Sequence, residues 1–368
     1  MKNYSNKKNK NTLFIPGPVT TSKSVKKIVS YDFGSRDLNI VETIKNIRSN
    51  LLKIVNANSV MYSAILFQGT GTYANESVLG SLPENTNLGI LSNGIYGNRL
   101  HHIADKLNIN NKLYEFDYNK KLDLKIIEKK IKYHTHIAFV HNETTLGTLN
   151  ELDKIVNLLK EHNKIIIVDA VSSFGGIPID LKKTPIDFLI ASSNKCLHSY
   201  PGISFVIAKK KILKKYTTSK SLSLDLYSQW REFELNNQFR FTPPVQMIKT
   251  LNVAIKELLD EGVNQRHNKY IKYNQLIRKT MNDIGLESII DCVSQGPICQ
   301  SFYYPYDNFD YNELYHRLNK HNIVIYTASF NNKNVLRLGN IGDINMKKFK
   351  KCVNIIKNEI LDMIVKHS

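Results

Sequence analysis

Asp169 closes a short, continuous apolar run, KIIIVD, and Lys195 follows another, DFLIASS, in Ser192-Ser193-Asn194-Lys195. A carboxylate flanked by Val168 and Ala170 is costly to bury unless something cationic meets it. A lysine held out of bulk water shifts towards its neutral, nucleophilic form. A third feature is Gly69-Thr70-Gly71-Thr72, set between the apolar run YSAILFQ and the helical pattern TYANESVLGSL. Backbone N–H groups at a helix start, with hydroxyls beside them, form a phosphate cradle. Each feature has an ordinary structural alternative. Asp169 could cap a helix or pair in a loop, Lys195 could snorkel at a strand end, and the glycines could make a tight turn.

Taken together, the three features suit pyridoxal phosphate (PLP). A lysine amine forms a Schiff base with its aldehyde, a carboxylate keeps its pyridine nitrogen protonated, and the cup holds its phosphate. Tyr96, in SNGIYGNR at another strand-to-helix junction, offers a ring to stack on the cofactor or simply to pack. A rival is nicotinamide binding, because Gly69, Gly71 and Ala74 satisfy GxGxxA. Against it, no acid ends a following strand at the expected offset of ~20 residues.

The elements that must carry these residues alternate regularly from about Tyr62. YSAILFQ, LGILSNG, KLYEFDY, HIAFVHNE, KIIIVDAV, DFLIASS and ISFVIAKK read as strands, several separated by amphipathic helical stretches. Apolar runs of this length suit strands buried on both faces. Helical crossovers between them imply a mostly parallel sheet with helices on both faces, and ligands there bind beyond the carboxyl ends of the strands. After Ala208 the rhythm changes. A long connection containing RFTPPV leads to helices over about Val245–Asp260, Asn264–Ile284 and Tyr311–His321, among short strands, with a final amphipathic helix. The expected organisation is a mobile tail over 1–12, a large domain over 13–250 and a small C-terminal α+β domain over 251–368.

Composition narrows the function classes. The 368 residues carry 51 Lys+Arg against 32 Asp+Glu, a formal charge of +19. The lysines are scattered along the chain and no nucleic-acid-binding signature accompanies them, so a solvated surface is the simpler account. A non-catalytic basic binding protein rests on that charge alone. No apolar run approaches the ~20 residues of a membrane span, and the N-terminus lacks the apolar core of a secretory signal. Four scattered cysteines without a CxxC pair make neither a disulfide framework nor a zinc site, so no metal is expected and reduced thiols in the cytoplasm are the reading.

The stretches FIPGPVTTSKSVKK, FQGTGTYANESVLGSL, SNGIYGNR, HNETTLGTLN, VDAVSSFGGIPID, ASSNKCLHSYPGISFVIAKK, RFTPPVQ and VLRLGNIG resemble, in order, the class V aminotransferases of PLP fold type I. GPVTTS with QGTGTYANESVLGSL is closest to the branch that acts on phosphonates. The resemblance implies transfer of the amino group of 2-aminoethylphosphonate to pyruvate, a reversible reaction giving phosphonoacetaldehyde and L-alanine. It implies that Lys195 binds the cofactor covalently and shuttles a proton, and that Asp169 pairs with the pyridinium. Thr70, Gly71 and Thr72 would line the phosphate cup with help from Asn194, and Tyr96 would stack on the ring. Thr145, or Thr144 beside it, would approach the ring hydroxyl. A homodimer with shared sites is implied as well, with Thr242 reaching the phosphate in the neighbouring subunit. Arg337 would hold the acidic group of amino donor and 2-oxo acid alike, with Arg240 and Arg36 as further cations for substrate or for an interface ion pair. Alanine or serine with glyoxylate is the alternative substrate set. A desulfurase reading has only Cys196. HSYPG after the lysine departs from the family's usual filler, so His198 and Tyr200 would face the access side of the cofactor or merely pack.

Overall fold

The computed structural model describes residues 11–330 and 333–367. From the N-terminus, β1 (Thr12–Phe14) precedes α1 (Lys23–Ile28) and α2 (Leu38–Ile54). Then β2 (Tyr62–Gln68), α3 (Gly71–Gly80), β3 (Leu88–Ser92), α4 (Ile95–Lys106), β4 (Asn111–Glu115), α5 (Leu124–Lys130) and β5 (His136–Val140) alternate. A small ribbon of β6 (Asn142–Glu143) and β7 (Thr148–Leu149) comes before α6 (Leu152–Glu161), β8 (Ile165–Asp169), β9 (Phe188–Ser192) and β10 (Ile203–Lys209). Helices α7 (Lys210–Leu213), α8 (Leu226–Asn236), α9 (Val245–Glu261) and α10 (Val263–Asn282) lead to β11 (Cys299–Tyr303) and α11 (Tyr311–Lys320). The chain closes with β12 (Ile323–Phe330), β13 (Lys333–Gly339) and α12 (Met346–His367).

The central sheet has seven strands in the order β2-β10-β9-β8-β5-β3-β4. β10 runs antiparallel to both neighbours, and the other adjacent pairs are parallel. Strands such as β5, β9 and β3 are buried throughout, which is why their sequences are unbroken apolar runs rather than alternating ones. Helix α6 shows the complementary pattern: Leu152, Ile155, Val156 and Leu159 recur at helical spacing and are its buried residues. Full burial of each such side chain contributes roughly 1.5–3 kcal/mol. The parallel strands therefore run the same way, and their carboxyl ends bring Gln68, Ser92, Val140, Asp169 and Ser192 to one edge of the sheet.

The second body is built on the sheet β1-β12-β13-β11, with Phe14, Phe302, Leu336 and Phe349 in its core. Its limits differ from the sequence-based division in two ways. β1 pairs in parallel with β12, Thr12 opposite Ile323 and Phe14 opposite Ile325, so the N-terminal strand belongs to the small body. Helix α9 buries Val245, Ile248, Leu251, Ile255 and Leu258 in the large core, whereas α10 places Tyr273, Ile277 and Met281 in the small one. The turn between them is Gly262, at φ +84, a left-handed conformation that favours glycine; its N–H closes on the Leu258 carbonyl. Of the expected tail, residues 1–10 lie outside the described residues, and Thr12 already starts a strand.

Candidate active site

At the carboxyl edge of the central sheet a cleft of about 220 Å³ opens, lined among others by Thr70, Gly71, Thr72, Tyr96, Thr144, Asp169, Asn194 and Lys195. Asp169 ends β8 and is only 5% exposed. Its Oδ2 accepts from Asn75 Nδ2 (2.7 Å) and its Oδ1 from the Val171 N–H (2.9 Å). Burial pushes its pKa up, while those hydrogen bonds and the charges of Arg99 and Lys195 pull it down. Among the described residues no ion pair reaches it, so the carboxylate is held in place with its compensating cation still to come.

Lys195 follows β9 in a tight turn. Its Nζ donates to the Pro16 carbonyl (2.7 Å), and burial, then the charge of Arg337, lowers its pKa to about 8. The segment that covers it is Ile15-Pro16-Gly17, directly after β1. Gly17 sits at φ +131, and a Cβ there would stand 2.4 Å from Lys195 Cδ. Gly17→Ala should therefore both strain the backbone and push the lysine aside. Roughly a hundredfold slower amine reactivity towards the cofactor aldehyde is expected from a misplacement of this size. Stopped-flow absorbance would measure it, and an unchanged loading rate would show that the roof does not set the lysine's position.

The cup is the start of α3. Thr70 is its N-cap in extended conformation and makes no capping bond with its own side chain. Unpaired N–H groups of the first helical turn, with Thr70 and Thr72 beside them, suit an anion. Two glycines are required here by space: a Cβ at Gly71 would meet Val171 Cγ2 at 2.4 Å, and one at Gly69 (φ +108) would meet the Tyr73 ring. Asn194 Oδ1 accepts from Ser192 Oγ (2.7 Å) at the cleft wall. Tyr96 is half-buried in the first turn of α4, and the Arg99 guanidinium lies 4.8 Å from its ring centroid.

The two threonines of HNETTLG are separated by the structure. Thr144 lines the cleft. The hydroxyl of Thr145 is engaged behind the wall, donating to Glu143 Oε1 (2.6 Å) and accepting from the Ile95 N–H (2.9 Å). Arg337 on β13 reaches across from the small body. Its Nη1 donates to the Thr144 carbonyl (2.8 Å), and its buried Nε has no partner among the described residues.

Other expected residues lie elsewhere. Arg240 is half-buried, bonds to the Leu222 carbonyl and stands 3.9 Å from Asp225; Arg36 and Thr242 are exposed, and none of the three lines the cleft. His198 is buried away from the cleft, its Nε2 accepting from the Tyr270 hydroxyl and the Gly342 N–H, so it packs between the two bodies. Tyr200 is half-buried, and its carbonyl accepts from Ser193 Oγ. Cys196 is fully buried, bonded to the Ser172 carbonyl, and pushed up to about 12 by burial, which leaves an inert thiol. Asn75 and Arg99 also line the cleft; both stand in the stretches FQGTGTYANESVLGSL and SNGIYGNR, where the sequence reading assigns neither a role. Asn75 stands four residues after Gly71, so helical periodicity puts it on the face that meets the strand ends.

These residues fit pyridoxal phosphate. The test is the buried carboxylate that makes no ion pair among the described residues, the open start of α3 where Gly69 and Gly71 leave no room for a Cβ, and the Asn75 Oδ1 left without a partner inside the cleft. A pyridinium, a phosphate and a ring substituent answer those three features in turn.

Comparison with known proteins agrees. Residues 25–330 match the family model described as aminotransferase class-V. The chain is 37% identical over 356 residues to a 2-aminoethylphosphonate–pyruvate transaminase of Bacteroides fragilis, covering 94% of this chain and 98% of that protein. It is 38% identical over 354 residues to one of Phocaeicola vulgatus, covering 94% and 98%. Among solved structures, a Thermus thermophilus aspartate aminotransferase of subgroup IV superposes with a TM-score of 0.87 at 18% identity, covering 95% of this chain and 99% of that one.

Proposed function

The chain belongs to the class V aminotransferase family, and from that premise we propose that it transfers the amino group of 2-aminoethylphosphonate to pyruvate. The products are phosphonoacetaldehyde and L-alanine. The observation that carries the chemistry is that Lys195 and Asp169, which makes no ion pair among the described residues, face one cleft with the open N-terminus of α3. The substrate reading is supported by the near full-length similarity to transaminases of that name.

Pyridoxal phosphate, when bound, supplies an aldehyde that takes up amino groups and a protonated ring that withdraws electrons from the reacting carbon. Thr70, Gly71, Thr72 and Asn194 would hold its phosphate, Asp169 its ring nitrogen, and Tyr96 its face. Thr144 would stand near its ring hydroxyl. Lys195 Nζ would anchor the cofactor and, as a free amine, would hold and move the proton of the carbon that bears nitrogen. The segment over Pro16 and Gly17 packs on that amine and accepts its hydrogen bond.

Both substrates carry an anionic group, on phosphorus in the donor and on carbon in pyruvate. Arg337, with one N–H spent on the Thr144 carbonyl and Nε unspent, can meet each anion in turn. Arg337→Ala should raise the KM for both substrates about 10- to 100-fold, the scale of a lost charged hydrogen bond, with cofactor retention unchanged. Unaltered KM values would remove Arg337 from the anchor role.

We read the active unit as a homodimer in the cytoplasm, with Thr242 serving the partner's cup. Exposed Tyr73, Ile95 and Phe241 support this, since large apolar side chains stand in or beside the segments of the cup, the α4 start and the Thr242 loop. Among the described residues no helix is long and apolar enough to cross a membrane. The deciding experiment is a half-reaction: the pyridoxal form of the protein is mixed with 2-aminoethylphosphonate, alanine or serine, and loss of its visible band is timed. Fastest conversion by the phosphonate is expected. Faster conversion by serine or alanine, with glyoxylate as the better acceptor, would replace this substrate pair by the glyoxylate type.

A further inference from the structure

Helix α4 carries Tyr96, yet it begins without a side-chain cap. Its N-cap is Gly94, which has no side chain to satisfy the first N–H groups. Those groups are satisfied by a different element. Glu143, fully buried at the end of β6, takes the Tyr96 and Gly97 N–H groups on Oε2, each at 3.2 Å. Its Oε1 takes the Thr145 N–H (3.0 Å) and hydroxyl (2.6 Å), and that hydroxyl oxygen accepts from the Ile95 N–H. The glycine and the acid are matched: a Cβ at position 94 would stand 2.3 Å from Glu143 Cδ.

The same carboxylate is tied to the opposite wall. Thr144, the residue after Glu143, lines the cleft, and its carbonyl receives Arg337 Nη1. We propose that Glu143 is a positioning residue that sets the stacking tyrosine and the anion-holding arginine in one frame. It does so through the α4 N–H groups on one side and the Thr144–Thr145 backbone on the other. This rests on the cofactor and substrate reading given above. Glu143 itself lies behind the cleft wall and touches neither cofactor nor substrate.

The acceptor pattern makes the proposal sharp. Both oxygens of Glu143 receive backbone N–H groups, which cannot turn away. A glutamine of the same shape offers only one acceptor oxygen, so its NH2 must face donors on one side. Shape is kept and the tie is broken. A role confined to capping α4 would lower thermal stability alone, whereas a frame for the site alters how bound cofactor and substrates sit.

The test uses full-length Glu143→Gln reconstituted with pyridoxal phosphate, beside wild type, Tyr96→Ala and the double variant. The expected result is an about 10- to 100-fold rise in the cofactor dissociation constant, the scale of one or two buried donors left unpaired. The visible circular dichroism per bound cofactor should change, and KM for both 2-aminoethylphosphonate and pyruvate should rise. Loss of cofactor affinity should be less than additive with Tyr96→Ala, because both act through one ring. Gly94→Ala, which displaces the same carboxylate from the other side, should reproduce the pattern and serves if the glutamine variant does not fold.

Unchanged affinity, dichroism and KM in Glu143→Gln or Gly94→Ala, with or without a lower melting temperature, would overturn the frame and leave a helix cap only. Full additivity with Tyr96→Ala would overturn the link to that ring. Failure of the wild type to develop a visible band with pyridoxal phosphate would instead bring down the cofactor reading, and the frame with it.

Discussion

Lys195→Ala is expected to lower transamination by at least about 10⁴-fold, because on the proposed reading one amine would serve as both covalent anchor and proton carrier. The residue is half-buried beneath the Pro16 carbonyl and contributes little apolar area, so the far-ultraviolet dichroism and melting profile should stay close to wild type. The variant should still bind pyridoxal phosphate, through the cup and Asp169, but without the borohydride-reducible linkage. Turnover near that of wild type would defeat the assignment. In the wild type the depressed pKa gives this step a defined pH dependence. The reactive form is the neutral amine, which with a pKa of about 8 is a minor fraction at pH 7 and the major one above pH 8. Cofactor capture by the apoprotein should therefore accelerate from about pH 6.5 to about pH 8.5 and level off near pH 9. A rate still climbing steeply past about pH 10 would mean an ordinary, water-exposed lysine.

Asp169→Ala should produce the second large loss, about 10³-fold or more in turnover, of the order assigned to electrostatic stabilisation at a buried site. The carboxylate is pinned by Asn75 and Val171 and makes no ion pair among the described residues, so on the proposed reading its removal would delete the charge that holds a proton on the ring. A cofactor analogue with a methylated, permanently cationic ring nitrogen should restore part of the activity in this variant and none in Lys195→Ala. No gain from the analogue would show that Asp169 acts through something other than ring charge.

How far the site is legible in the sequence follows from what kind of fact each residue depends on. Asp169 and Lys195 stand at the ends of unbroken apolar runs, and the rule that ligands gather at the carboxyl ends of parallel strands places both without coordinates. Helices α9, α10 and α11 come within a few residues of the expected spans because amphipathic periodicity and Gly262 mark them. Thr144 against Thr145 cannot be decided that way. Both stand in the turn between β6 and β7, and which hydroxyl reaches the cleft depends on the path of that turn and on Glu143 behind it. The place of β1 is equally hidden: three residues carry no mark of a partner more than three hundred positions later. Asn75 is within reach, since its spacing from Gly71 is one helical turn. Glu143 is not, because a buried acid that caps a helix from another element has no local signature.

The pairing of β1 with β12 bears on how the polypeptide is made. A ribosome delivers the N-terminal strand first and its partner, Ile323–Ile325, near the end. Domains complete early in translation tend to fold as they emerge. The large core, whose last helix ends at Glu261, can thus assemble around Lys195 while the nascent chain is still growing. The Pro16–Gly17 segment, which follows β1 directly, is held in its final seat over the Lys195 amine only once the closing strands exist.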